Sequence, residues 1–402
     1  MRAAIGTGRP RFSGVVWAYG FRPFFMAAAG YGILTTVLTG LFLMGGLDPT
    51  LGMAPALWHG HEMLVGVVGA ALAGFLLTSV PSWTATPPVT GPPLALLLAA
   101  WAAGRAAMWA AAWLPAWLLA AVDLLFPLAL LWLVLPPVLA DPTRRQRAFA
   151  VILLVQTAAV ASFHVGLMNP AGDLPERSLT ALVNLFLLLI VVTVSRITAV
   201  VVNLALTEVG STRRFRPHPA RQNLAAAAMA IYAAAEFAFP AHPVTGWIAL
   251  AAAAAQCDRL SDWHVGRAVL KPYVAILYAA YAWMALGLFG VGLHHLGAPL
   301  PESAARHALT VGAMGSAVLA VFVIAGLRHT GRDLVVPPAA KAAFALVSAA
   351  AALRAGVPVF ALDAHPGWAL GGGSLLWAAA LAAYLWHFAP LLTAPRADGK
   401  PG

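Results

Sequence analysis

The stretch from Trp58 to Trp83 reads WHGHEMLVGVVGAALAGFLLTSVPSW, and it decides the class of fold. No charged residue lies between Glu62 and Pro81. A helix needs about 20 apolar residues to cross a hydrocarbon core of roughly 30 Å. We therefore predict that this stretch crosses a membrane as one helix, with its histidines and its carboxylate gathered at the first turns.

The composition of the whole chain agrees with a membrane environment. Of the 402 residues, 61% are hydrophobic and 9% are charged, whereas a soluble domain has about 25% charged residues. The net charge of +10 is read here as a marker of topology, and we expect no nucleic-acid partner. A single cysteine, Cys257, excludes a disulfide framework, a cysteine-based zinc site and an iron–sulfur cluster held within one chain.

Apolar runs of similar length recur between short breaks that contain Pro and polar residues. They predict an all-α polytopic membrane protein of about twelve transmembrane helices, with residues 1–402 forming a single membrane domain. A short cytoplasmic segment, 1–20, lacks a cleavable signal pattern, and a cytoplasmic tail, 391–402, follows the last span. The predicted spans are 24–46, 58–80, 94–113, 115–138, 147–168, 179–205, 222–239, 243–257, 272–295, 305–327, 338–358 and 367–390.

The positions of the basic residues orient these spans. With the amino terminus in the cytoplasm, most of the 24 Lys and Arg residues fall in loops on that side, as the positive-inside rule requires. We therefore predict a multi-pass protein of the bacterial inner membrane, with the bilayer as its surroundings and both termini cytoplasmic. Five arginines do not follow the pattern: Arg105, Arg177, Arg196, Arg306 and Arg354.

Four histidines are placed in the outer leaflet by this topology. His59 and His61 open the second span, His164 lies near the outer end of the fifth, and His307 opens the tenth. Neutral imidazole is the commonest metal ligand, so we predict that these histidines bind metal. A helix-end histidine that is merely hydrogen-bonded is the alternative for each one singly. Met63 and Met168 are additional soft candidates for copper, although a membrane methionine usually serves packing.

The spacing of the first two histidines predicts two sites. Their side chains point about 200° apart on a regular helix, so they would not easily bind one metal, unless His59 precedes the regular helix. Glu62 is a candidate partner for the second nitrogen of a ligating imidazole, and a solvated carboxylate at a helix start is the alternative.

A sequence pattern of the second span is repeated in the tenth span, and we call this repeated pattern the echo. The pattern H-x-x-x-V-G-x-x-G-x-A begins at His61 and again at His307, and small residues let a helix or a flat macrocycle approach the backbone closely. The echo favours an internal repeat, with coincidence between glycine-rich helices as the alternative. We predict a haem held by His307 opposite His61 or His59, with Arg306 near a propionate or, alternatively, only at the interface.

Four segments carry a resemblance to a known family: Trp17 to Phe25 (WAYGFRPFF), Trp58 to Trp83, His307 to Gly315 (HALTVGAMG) and His329 to Leu334 (HTGRDL). With Asp123, His164 in SFHVG and Arg196, they resemble NnrS family proteins over nearly the whole chain. The resemblance implies a twelve-span inner-membrane protein that contains haem, of b type, and copper. It also implies a role in nitric oxide metabolism and relief of nitrosative stress, often in denitrifying bacteria.

One segment departs from that pattern. The family commonly follows its sixth-span arginine with a stretch rich in Pro and aromatic residues, whereas ITAVVV follows Arg196 here, which weakens any role carried over for this segment. We expect Arg196 to face a buried partner or cavity in the same inner-side region as Arg22 and His329. Histidines on the second and tenth spans also distantly resemble haem–copper oxidase catalytic subunits, but the histidines expected on the sixth and seventh spans are absent.

Two functions follow from these observations. The first is a haem protein that binds or turns over nitric oxide or a metal-nitrosyl species, supplied by an electron donor that the sequence does not identify. The alternative is a membrane transporter for copper, a metal chelate or a small solute, whose histidines form a pathway. The sequence leaves open whether the protein is an enzyme.

Overall fold

A computed structural model describes residues 14–46, 51–169, 171–240, 242–360 and 367–400. These residues are mainly helical and include no strand, which confirms the all-α prediction. The basic residues of segment 1–13 and His365 lie outside the described ranges. The long helices are α1 (Phe21–Leu43), α2 (Pro55–Thr84), α3 (Pro92–Trp109), α4 (Ala116–Ala140), α5 (Arg147–Met168), α6 (Leu174–Glu208), α7 (Pro219–Ala238), α8 (Pro243–Leu260), α9 (Pro272–His295), α10 (Glu302–His329), α11 (Pro338–Phe360) and α12 (Gly367–Thr393).

Each predicted span coincides with one of these helices, within a few residues at either end. Nine helices in the described ranges are long and apolar enough to cross a membrane, so the chain is a multi-pass membrane protein. The other three, α3, α7 and α8, are not among them, and the full count of twelve spans stays a prediction. Several of the long helices begin with Pro at the first or second position, where its missing N–H leaves no helical hydrogen bond unmade.

The two helices that carry the echo lie at the centre of the bundle. In the most apolar stretch of each helix, 78% of the residues of α2 and 72% of those of α10 are buried, against 33% in α1 and 39% in α4, α11 and α12. α1 packs against α12 and α2, and α10 packs against α9 and α11. Of the histidines at the start of α2 and α10, His61 is buried, and His59 and His307 are half-buried.

The echo corresponds to a shared backbone feature. α2 widens into a π-helix over Glu62–Val68, and α10 does the same over Ala308–Met314. Each π-helix starts directly after a histidine of the repeated pattern. Such segments are rare and are frequently found at functional sites.

Two glycines of the echo receive aromatic rings from neighbouring helices. A Cβ atom on Gly66 would lie 2.7 Å from the ring of Tyr31, and one on Gly312 would lie 2.6 Å from the ring of Trp283. Another helix thus approaches each backbone closely, as the small residues predicted. Gly315 of the same pattern lines a large cavity instead.

Candidate functional site

A buried trio of side chains has the arrangement of a metal site. His61 of α2, Asp123 of α4 and His164 of α5 offer ligand atoms that all lie within 4.8 Å of one another. The Nε2 atom of His61 is 3.1 Å from Asp123 Oδ2, and the Nε2 atom of His164 is 2.9 Å from the same oxygen. All three side chains are buried. Two imidazoles and one carboxylate are a donor set that suits copper, zinc or iron.

Carboxylate oxygens lie beside both ring nitrogens of His61. Its Nδ1 atom is 2.9 Å from Glu62 Oε1, and Arg105 pairs with both Glu62 and Asp123. Because an ionised carboxylate only accepts hydrogen bonds, Nδ1 carries a proton, and a second proton or a metal ion is needed between Nε2 and the Asp123 oxygen.

The Nε2 atom of His61 faces an oxygen of Asp123. Within the described part of the chain, the Nε2 atom of His61 has no hydrogen-bond partner of acceptable geometry, and neither has the Nδ1 atom of His164. A cation between His61 Nε2 and the Asp123 oxygen, either a proton or a metal ion, stabilises both atoms. With a neutral His61 ring, two carboxylates against one guanidinium would leave one uncompensated negative charge in a buried place, and a metal ion at the trio would compensate it.

A hydrogen-bonded chain leads away from the trio. Tyr31 of α1 donates to Glu62, and the indole Nε1 of Trp109 donates to the Tyr31 hydroxyl at 3.1 Å. Trp109 is also part of the wall of a large cavity. The trio and this cavity are therefore connected through Glu62, Tyr31 and Trp109.

The large cavity has a volume of about 430 Å³ and lies among α1, α2, α6, α10, α11 and α12. His59 of α2 and His307 of α10 both line it, together with Met63, Arg306 and Arg354. Most of its other walls are apolar side chains. The cavity therefore combines two imidazoles with two guanidinium groups in apolar surroundings.

Hydrogen bonds leave the same atom free on both cavity histidines. His307 Nδ1 is 2.6 Å from the carbonyl oxygen of Ser303, so Nδ1 must donate. His59 Nδ1 is 3.0 Å from the hydroxyl of Thr39, whose proton is donated to the carbonyl of Thr35 at 2.8 Å. His59 Nδ1 therefore donates as well, and Nε2 of each ring is the unprotonated, ligating atom.

The two arginines supply positive charge at the cavity wall. Arg306 is held by Glu302 and Glu236, at 2.6 and 2.7 Å, while its buried Nη1 atom has no partner among the described residues. Arg354 donates to the Ser303 hydroxyl at 2.9 Å. An available guanidinium N–H group at an apolar cavity suits a ligand that carries carboxylates.

The structure brings the predicted site residues together in two groups. His59 and His307 share the cavity, whereas His61 joins His164 and Asp123 in the trio, with Glu62 against the His61 ring. Of the two predicted partners for His307, the cavity holds His59. The separation of His59 from His61 agrees with their spacing on a helix.

The inner-side residues contact different elements. Arg22 is buried and donates to the carbonyls of Leu392 and Ala394, and the His329 ring lies 5.5 Å from that of Phe21. Arg196, in contrast, is exposed.

Arg196 faces the buried partner that we predicted for it. It donates to Gln146 at 2.7 Å and lies over the ring of Trp83 at 5.2 Å. Gln146 is buried although Arg196 itself is exposed. Met168 is likewise 43% exposed, at the end of α5.

Three residues of the two sites were not singled out from the sequence for a site role. Arg105 and Arg354 appeared there only as exceptions to the charge pattern, and Tyr31 did not appear at all. The available signal was the charge itself, since an ionisable residue within a membrane helix calls for a named partner.

Comparison with known proteins gives one family. The family model described as NnrS protein matches residues 15–396. No curated protein matches the sequence.

Proposed function

The chain belongs to the NnrS family, and from this we propose that it binds a b-type haem in the large cavity, copper at the trio, and nitric oxide or a metal-nitrosyl species. Membership supports a role in the nitric oxide response. The observation that carries the haem proposal is the pair of histidines, His59 and His307, whose Nε2 atoms are both left free to ligate at one cavity.

The residues present fit a haem. His59 and His307 would hold the iron, and the apolar walls would surround the ring. Arg306 and Arg354 would bind the propionates, because both guanidinium groups line the cavity. When bound, a ferrous haem with a displaceable ligand supplies the chemistry that captures nitric oxide.

Copper at the trio is supported by the donor set. Nitrogen and oxygen ligands suit Cu(II), and Glu62 would orient His61 through its second nitrogen. Met63 lines the haem cavity and Cys257 is exposed, so soft sulfur ligands are not part of this trio. Between the two sites, the Tyr31 hydroxyl donates its proton to Glu62, and the Trp109 indole N–H donates to the Tyr31 hydroxyl.

The orientation remains part of the proposal. The arginine pattern places both termini in the cytoplasm and the starts of α2 and α10 near the periplasmic face of the bacterial inner membrane. In this arrangement the haem and copper sites lie in the outer half of the protein. An electron donor would therefore approach from the periplasm or from within the bilayer.

Addition of nitric oxide tests the function directly. We expect the Soret band of the dithionite-reduced protein to shift on addition of nitric oxide, because a histidine can be displaced from a ferrous haem. The measurement is an anaerobic optical titration of the purified protein. An unchanged spectrum at saturating nitric oxide would exclude the proposed gas binding at this cavity.

Replacement of His164 tests the copper site separately. His164→Ala should lose bound copper and keep haem, because His164 belongs to the trio and not to the cavity. Copper and haem are measured together by metal analysis and optical spectroscopy.

The matched control is His295→Ala. His295 is also buried and pairs with a carboxylate, Glu236, at 3.2 Å, but outside both sites. Loss of copper in the His295 variant, or full copper content in the His164 variant, would refute the assignment.

A further inference from the structure

A second, smaller cavity adjoins the haem cavity. It has a volume of about 70 Å³ and lies among α2, α6 and α10. Its walls are apolar side chains, with Thr193 as the one hydroxyl among the described lining residues. Val68, Met314 and Val318 are shared with the haem cavity. The two cavities thus share a wall formed by these three side chains.

In the proposed orientation, the small cavity lies at the depth of the hydrocarbon core. Its lining extends along α10 from Met314 to Phe322, and Val321 lies roughly 20 Å along the helix axis from His307 at 1.5 Å per residue. The hydrocarbon core is about 30 Å thick. The small cavity therefore lies where the surrounding solvent is lipid hydrocarbon and not water.

Thr193 differs from the other buried hydroxyl residues of its helix, because Ser178 and Thr198 both have hydrogen-bond partners. Ser195 and Thr198 donate to the carbonyls one turn earlier, at 2.6 and 2.7 Å. Thr193 is buried, with 7% of its surface exposed. Its hydroxyl has no hydrogen-bond partner in the described part of the protein. A buried polar group without a partner is costly and needs an explanation.

We propose that the small cavity binds a neutral diatomic gas, nitric oxide in the cell, on its way from the bilayer to the haem cavity. This inference rests on the proposed function. A water-sized molecule needs on the order of 10–15 Å³, so the volume is sufficient for a diatomic molecule. Apolar cavities stay dry and accept apolar gases such as xenon, and the Thr193 hydroxyl would orient a molecule with a small dipole.

Xenon binding tests the small cavity without any need for haem. In crystals pressurised with xenon, we expect one anomalous peak in this cavity. Val321→Phe should remove it, because the added ring occupies the cavity, and Val200→Phe should keep it, since Val200 is 70% exposed on α6 and lines neither cavity. A wild-type cavity without xenon, or one that contains a lipid or detergent chain, would overturn the proposal.

Photolysis of bound carbon monoxide tests the connection to the haem cavity. In the reduced, haem-containing protein, Val321→Phe should slow the rebinding of photolysed carbon monoxide several-fold. The rebinding rate of Val200→Phe should equal that of the unmodified protein. The infrared band of photolysed carbon monoxide trapped at low temperature should shift in Thr193→Val and not in Thr198→Val.

These outcomes separate the two proposals. Identical rebinding rates and infrared bands in all four variants would refute the gas pathway. Xenon in the small cavity of a protein without a Soret band would refute the proposed haem site and leave the gas-binding cavity standing.

Discussion

Haem content should fall to background when His307 is replaced by alanine. The His307 ring is held by the Ser303 carbonyl with its Nε2 atom free, and it lines the cavity opposite the start of α2. Loss of an axial ligand removes the strongest bond between the protein and the iron. His59→Ala should have the same effect or convert the haem to a high-spin form. The measurement is the Soret absorbance per protein, together with a pyridine haemochrome assay.

The control for this prediction comes from the same helix. His61 is two residues from His59 but belongs to the trio, so His61→Ala should keep its haem. If His61→Ala loses haem and His59→Ala retains a normal spectrum, the assignment of His59 to the haem cavity is wrong. If the His59 and His307 variants both retain their haem, the haem is bound at another site.

Replacement of Arg105 by methionine should destabilise the protein more than any other change near the trio. The side chain of Arg105 is 4% exposed and pairs with both Glu62 and Asp123. Removal of one partner leaves two buried carboxylates facing each other, and breaking a buried pair typically costs about 3–5 kcal/mol. We expect reduced expression and a clearly lower thermal unfolding midpoint in detergent.

Arg196→Met is the matched control. Arg196 is exposed, and its partners are the neutral side chain of Gln146 and the ring of Trp83. Loss of such a contact should cost about 0.5–1 kcal/mol. Equal destabilisation by the two substitutions would show that the charge compensation around Arg105 does not stabilise the fold.

The sequence predicted the helices because each apolar run is long enough to form one. It also predicted two sites from the helical period, since His59 and His61 cannot face the same way. The partners of these histidines could not be predicted as completely. Asp123 and His164 are brought to His61 by the packing of α4 and α5, and helical periodicity contains no information on such contacts.

The arginines show most clearly what sequence patterns leave out. Arg105, Arg306 and Arg354 were visible as exceptions to the positive-inside pattern, and all three are found at the two sites. The pattern identifies a charge in an unusual place but not its partner. That partner depends on three-dimensional packing, as for Glu236, which holds Arg306 from α7.

An optical spectrum of the purified protein, with and without dithionite and alongside metal analysis, tests the central claim most directly. We expect a Soret band that sharpens and shifts on reduction, with copper present in the same preparation. Absence of a Soret band after expression with sufficient haem would contradict a haem held between His59 and His307.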